Sequence, residues 1–309
     1  MKRVFVAAAL AALPWLQAAA QPQVDYSKLE IKTTEIGQDV YLLGWQGGDS
    51  LALVGDEGVL LVDTSVPQMG DKIKAAIAKL SDKPIKIIVN THAHADHFGS
   101  NEALARGGAL IVSHAALRER MVKGQYLAAF NQTIPPSPPG ALPALTYADA
   151  MTLHFGGETV QLLHVPNAHT DNDTLVHFTR ANVIHASGTF GGAGNYPFFD
   201  TSSGGSLAGT IAAEEKMLSL ANASTFIVAD EGDPAHTEAL RASRDALVAI
   251  RTRVQKLIDE GKSEDEAVAA KPTAEIDARY LRQAGFLSGD AMTRLAYQSL
   301  RGVRPPAAR

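Results

Sequence analysis

Asn90-Thr91-His92-Ala93-His94-Ala95-Asp96-His97-Phe98-Gly99 follows directly on the apolar run 84–89. Three imidazoles and one carboxylate stand within six residues, just past a segment that reads as a buried strand. Alternate residues of an extended chain point the same way, so His92 and His94 share a direction while Asp96 and His97 open a second group. Histidine at this density beyond a strand end is the pattern of metal ligation. The competing reading is a set of core histidines satisfied by backbone hydrogen bonds.

The chain has no cysteine. Thiolate ligands and cysteine nucleophiles are therefore excluded, and any metal here takes nitrogen and oxygen. The formal net charge of -5 comes without a strongly basic stripe, which gives no electrostatic case for nucleic acid as a partner.

Outward from the motif, 40–43, 50–54 and 58–62 read as short strands, with Asp56-Glu57-Gly58 as a hairpin turn. In 69–80, Ile73, Ala76, Ile77 and Leu80 share one face of a helix. Strand, helix and strand in this order predict a layered α/β domain. Beyond Gly99, a short helix precedes a strand at 110–112, and a second helix covers much of 115–130. Pro135-Pro136-Ser137-Pro138-Pro139-Gly140 is a surface turn, too short to mark a domain boundary. Strands follow at 151–154, 159–163, 174–178 and 183–185, then a glycine-rich loop at 187–194, a helix at 207–220 and a strand at 225–229.

From 237 onward the chain reads as helices, with Leu240, Leu247, Ile250, Val254 and Leu257 as a stripe suited to core packing. The expected organisation is a catalytic domain over 21–235 and a helical C-terminal extension over 236–309. Residues 1–20 join a basic start, Met1-Lys2-Arg3, to an apolar run ending in Ala18-Ala19-Ala20. That is the pattern of a cleaved export signal. It predicts a periplasmic or secreted protein with no stable membrane span after cleavage.

Residues 40–235 resemble the metallo-β-lactamase superfamily. His92-Ala93-His94-Ala95-Asp96-His97 matches its His-x-His-x-Asp-His pattern, and Asp63 falls where that family has a supporting acid. The resemblance implies a four-layer αββα sandwich with metal ligands on loops at one edge of two packed sheets. Asn167-Ala168-His169-Thr170 resembles the segment that supplies a third histidine. On that match His92, His94 and His169 hold one zinc ion and leave a fourth position for water, which coordination makes a nucleophile near neutral pH. Asp96 orients that water, relays its proton as a catalytic residue, or binds a second ion.

The second-metal half departs from the family. The segment 183–190 resembles one that carries a metal-bridging aspartate, and on this match Gly188 takes that place. The segment 226–234 resembles one carrying a metal-binding histidine, and Glu231 takes its place, with Asp230 as a substitute after a small loop shift. Two arrangements stay open. One is a single zinc at His92, His94 and His169 with Asp96 as proton relay. The other adds a second ion at Asp96, His97 and Glu231.

His185 is either a hydrogen-bonding support of the site or a strand-end residue. The loop 191–199, with Asn195, Tyr196, Phe198 and Phe199, reads as a substrate wall or as an ordinary anchored loop. Trp45 begins a facing rim or steadies the early hairpin. The expected function is hydrolysis of an amide or ester in a small carbonyl substrate, a β-lactam or lactone among them, by metal-bound hydroxide. Thioester or phosphodiester cleavage is an alternative. So is a non-catalytic protein that binds metal or a small ligand on the same scaffold.

Overall fold

Strands form early because β-branched and leucine-rich runs are cut by tight turns. In a computed structural model, which describes residues 24–45, 47–280 and 287–302, the first four are β1 (Lys32–Gly37), β2 (Val40–Gly44), β3 (Ser50–Gly55) and β4 (Gly58–Val62). Asp56 and Glu57 close the β3–β4 hairpin, with Gly55 paired to Gly58. Helix α1 (Gly70–Leu80) then carries the chain over to β5 (Ile85–Asn90), which pairs in parallel with β4. The short helices α2 (Ala95–Phe98) and α3 (Asn101–Ala105) lead to β6 (Leu110–His114) and α4 (Ala115–Lys123).

Here the helix expected over 115–130 is cut short. Gly124 takes φ of +74° and its N–H caps Arg120 O, so the helix stops and a small hairpin follows. That hairpin is β7 (Gln125–Leu127) with β8 (Gln132–Ile134), and β9 (Leu145–Tyr147) then joins the edge of the first sheet. The second sheet comprises β10 (Ala150–Phe155), β11 (Glu158–Val165), β12 (Asp173–Phe178), β13 (Val183–His185) and β14 (Phe226–Val228). Helix α5 (Leu207–Leu220) lies between the last two strands in sequence. Four helices follow: α6 (Thr237–Asp259), α7 (Glu264–Ala269), α8 (Ala274–Tyr280) and α9 (Gly289–Leu300).

The first sheet runs β1-β2-β3-β4-β5-β6-β9 and the second β10-β11-β12-β13-β14. Period-two alternation decides what lies between them. Leu51, Leu53, Leu60, Val62, Val89 and Val112 of the first sheet meet Val160, Leu162, Val176, Phe178 and Val183 of the second in one inner core. The intervening residues Ala52, Val59, Leu61, Ile88 and Ile111 face outward onto Ile73 and Ile77 of α1. On the far side, Leu175, Ile184 and Ile227 pack on Ala213 and Met217 of α5 and Leu240 of α6. The result is the αββα sandwich. Its central strands are buried on both faces, as covered sheets require, so trimming Leu60 or Leu162 to alanine is expected to cost ~2–5 kcal/mol.

The helical extension has a core of its own, in which Leu247, Ile250 and Val254 of α6 meet Met292 and Ala296 of α9. Tyr196, Phe199, Leu207 and Ile211 enter the same cluster. The extension is thereby bolted to the loop and helix that follow β13. The proposed signal at 1–20 lies outside the described residues. Among those described, no helix is long and apolar enough to cross a membrane.

Candidate metal centre

The parallel strands β4 and β5, like β13 and β14, send their following loops toward one edge of the sandwich. Asp63 stands one residue past β4, His92 two past β5, and Asp230 two past β14. The two sheets are stitched together there. Thr174 N–H donates to Thr91 O at 2.9 Å, and Ser187 Oγ donates to the same oxygen at 3.3 Å. Four non-glycine residues around the edge take left-handed backbone, Asp63, Ser65, Asn167 and Ser187, with φ between 52° and 59°. Such conformations persist only where surrounding structure imposes them.

His92, His94 and His169 converge: each offers one nitrogen, all within 4.8 Å of one another. Each ring is aimed by a partner at its other nitrogen, or beside it. His169 Nδ1 donates to Phe198 O at 2.7 Å, leaving Nε2 as the acceptor. His94 Nε2 lies 3.2 Å from Asp200 Oδ2, leaving Nδ1 toward the centre. His92 Nδ1 lies 3.1 Å from Thr91 Oγ1, and its Nε2 is buried with no hydrogen-bond partner.

His169 Nε2 and His94 Nδ1 face each other at 3.0 Å. With both outer nitrogens donating, two lone pairs meet, and a proton or a cation must stand between them. Burial first, then neighbouring imidazoles, push His92 well below the ordinary histidine range and His169 down to about 4. Neutral rings around an orphaned buried nitrogen are what a zinc ion needs, and this donor set fits one.

Asp200 is a member of the site that sequence reasoning missed. It accepts from Ser202 N–H at 2.9 Å and Ser203 Oγ at 2.6 Å as well as facing His94. Burial alone would raise its carboxyl, but His94 and the two serines hold it below the usual carboxylate range. Its one sequence signal is the turn composition Asp200-Thr201-Ser202-Ser203-Gly204, where an aspartate binds backbone two residues on.

A second group joins His92, His97 and Asp230, again with ligand atoms within 4.8 Å. His97 Nδ1 donates to Asp63 Oδ2 at 2.7 Å, so its Nε2 is turned inward. Asp63 is fixed in turn by Thr91 N–H at 2.8 Å and Thr91 Oγ1 at 2.6 Å. The His97 carbonyl takes hydrogen bonds from Thr64 N–H and Asn90 Nδ2, and Asn90 is locked to Asn101. Asp96 Oδ2 and Asp230 Oδ2 each lie 3.6 Å from His97 Nε2. Burial disfavours the His97 cation, yet Asp230, Asp96 and Asp63 together push its pKa up to about 10. For Asp230 burial raises and four surrounding histidines lower, and the histidines prevail.

Of the residues marked by the sequence, His92, His94 and His169 come together, and His97 lies beside them. Asp96 sits at the rim, its side chain 48% exposed. Glu231 lies in the exposed loop after Asp230, its carboxyl raised by burial and then by Asp230 and Asp96. His185 is fully buried behind the centre; its Nδ1 accepts from Ser187 N–H and its Nε2 has no partner. His114 and His164 stack on each other at 3.8 Å, away from these clusters.

The loop 191–199 divides its aromatics. Tyr196 turns away from the centre, donating to Asp277 Oδ1 at 2.8 Å and stacking on Tyr280, while Phe199 is core. Phe198 remains beside His169 and meets Phe130 edge to face at 5.8 Å. Across from them, Asp49 N–H donates to Asp230 O at 2.7 Å. Burial, then Glu231 and Asp230, push the Asp49 carboxyl up to about 8 despite its bond from Trp45 N–H.

Known proteins resemble this chain in sequence or in fold to different extents. A linear primary-alkylsulfatase of Pseudomonas sp. (strain ATCC 19151) is 28% identical over 253 residues, 69% of this chain and 47% of the relative. The inverting sec-alkylsulfatase Pisa1 from Pseudomonas sp. superposes with a TM-score of 0.66 at 16% identity, over 87% of this chain and 50% of its own. A metallo-beta-lactamase from Pontibacter korlensis gives a TM-score of 0.57 at 20% identity, over 71% of this chain and 99% of its own. This chain thus spans about half the length of the alkylsulfatases it matches. The family model of the metallo-beta-lactamase superfamily matches residues 43–255, from the end of β2 into α6, a stretch that includes every residue of both clusters. The chain belongs to the metallo-beta-lactamase superfamily.

Proposed function

We propose that this protein is an exported, zinc-dependent hydrolase of ester or amide bonds in small molecules that carry an apolar arm. The observation that carries the reading is the convergence of His92, His94 and His169, with the buried His92 Nε2 left without a partner. When bound there, zinc supplies a Lewis acid for the scissile bond and lowers the pKa of water.

The chain's own residues do the rest. Asp200, Phe198 O and Asp63 fix the ring orientations of His94, His169 and His97, so that no rearrangement is needed when substrate arrives. Asp96 is the half-exposed carboxylate beside His97 and is the group placed to pass a proton to solvent. Phe198 and Phe130 form an apolar surface beside His169 that suits a hydrophobic substituent. The likeness to two alkylsulfatases favours sulfate esters as a second reading, alongside β-lactams, lactones and simple carboxylic esters. Export rests on the residue pattern at 1–20.

The test is purification without chelators followed by a hydrolysis panel of penicillins, cephalosporins, lactones, aryl esters and alkyl sulfates. Turnover that disappears with a chelator, returns with zinc and is lost in His94→Ala supports the reading. A zinc-loaded protein that binds a panel compound without turning any over is a binding protein instead. The exported protein should begin near Gln21, and an intact Met1 in the cytosol would rule export out.

A further inference from the structure

Resting on the metal-centre reading above, we propose that Asp230 is a ligand of a second metal position beside His97, and that its carboxylate stands in for the side chain Gly188 lacks. The strands β13 and β14 are parallel neighbours, with His185 paired to Val228. Their following loops leave the sheet side by side, one carrying Gly188 and the other Asp230.

Gly188 N–H donates to Asp230 Oδ1 at 2.9 Å. A Cβ built at Gly188, whose φ is +72°, would stand 2.5 Å from His169 Cδ2 and 2.8 Å from Asp230 Oδ2. The space that a side chain at 188 would enter is therefore filled already, by the His169 ring and by a carboxylate arriving from the adjacent loop. A carboxylate at both positions would collide.

The other oxygen completes the argument. Asp230 Oδ2 faces His97 Nε2 at 3.6 Å, beyond hydrogen-bond range, while His97 Nδ1 is committed to Asp63. With Asp96 Oδ2, which lies at the same 3.6 Å from His97 Nε2, these atoms make a nitrogen and oxygen set with a gap at its centre. Asp230 is also held from behind, its carbonyl taking the Asp49 N–H. Oxygen and imidazole donors of this kind suit zinc. A merely structural Asp230 would serve only to accept the Gly188 N–H, and the asparagine side chain does that equally well.

The experiment measures zinc stoichiometry and affinity by titration of metal-free full-length protein, with circular dichroism as the fold control. The wild type is expected to bind about two zinc equivalents. Asp230→Asn keeps shape and the Gly188 contact, and is expected to weaken the second equivalent by at least about 10- to 100-fold while leaving the first. An unchanged second affinity in Asp230→Asn, or a folded wild type that saturates at one equivalent, overturns the proposal. Turnover is read separately. Loss of the second zinc in Asp230→Asn with no hydrolysis by any preparation leaves this assignment standing and removes the hydrolase reading, and the reverse pattern does the opposite.

Discussion

Asp63 and His97 form a buried pair, Oδ2 to Nδ1 at 2.7 Å, in which the carboxylate is also held by both donors of Thr91. The pair ties the end of β4 to the histidine loop after β5, and it decides which imidazole nitrogen faces the centre. Asp63→Asn replaces one acceptor oxygen by a donor and leaves either Thr91 or His97 poorly matched. A loss of about 1–3 kcal/mol in stability is expected, with zinc affinity down about 10- to 100-fold. Thermal unfolding and zinc titration check both, and wild-type values in both would contradict the orienting role.

Asp200 should behave as the counterpart for His94. Asp200→Ala frees the His94 ring and removes the acceptor of Ser202 and Ser203. About 10- to 100-fold weaker zinc binding at the first position is expected. Asp200→Asn should retain the serine contacts and so lose less stability than the alanine variant, as chemical denaturation would show.

The route from sequence to site was uneven for physical reasons. The strand at 85–90 and its histidine loop were legible because an apolar run and a dense donor motif are local signals. Asp200 lies 106 residues from the histidine it orients, and nothing local ties the two. Whether Asp230 or Glu231 faces the centre depends on how the chain leaves the three-residue strand β14, below the reach of a periodicity argument. The helix expected over much of 115–130 takes in β7 because that strand is three residues long and only Gly124 marks the break. The sequence leaves Tyr196 either at a substrate wall or anchoring an ordinary loop, and the partners that decide for anchoring, Asp277 and Tyr280, lie in a helix far along the chain.

Gly209 marks where the segment bearing His169 lies against α5. A Cβ there would stand 1.8 Å from Asn167 O, and one at Gly205 would stand 2.2 Å from His169 O. The backbone at 167–169 must move to admit even a methyl group. Gly209→Ala is expected to destabilise by about 1–3 kcal/mol, as overpacking does, and to weaken zinc binding. A variant with unchanged melting temperature and zinc affinity would contradict this close packing.

Glu214 gives the helical side a pH signature. It is fully buried between α5 and α6, its Oε1 accepts from Ser243 Oγ at 2.7 Å, and its Oε2 has no partner. Burial pushes its carboxyl well above 4.5, against the smaller pull of Ser243 and Arg244. The folded state therefore holds a proton that the unfolded chain has released. The stability this contributes is full below pH 4.5 and declines as pH rises until the folded group ionises, at up to about 1.4 kcal/mol per pH unit. Glu214→Gln should flatten that part of the profile and raise the melting temperature at pH 8 relative to the wild type. Parallel profiles for the two proteins would contradict it.

The most direct measurement is the zinc content of wild type and His94→Ala, each loaded with zinc, passed through gel filtration and assayed by elemental mass spectrometry. Expected is zinc retained by the wild type and one equivalent fewer in a folded His94→Ala. Equal zinc in the two proteins would contradict a metal centre at His92, His94 and His169.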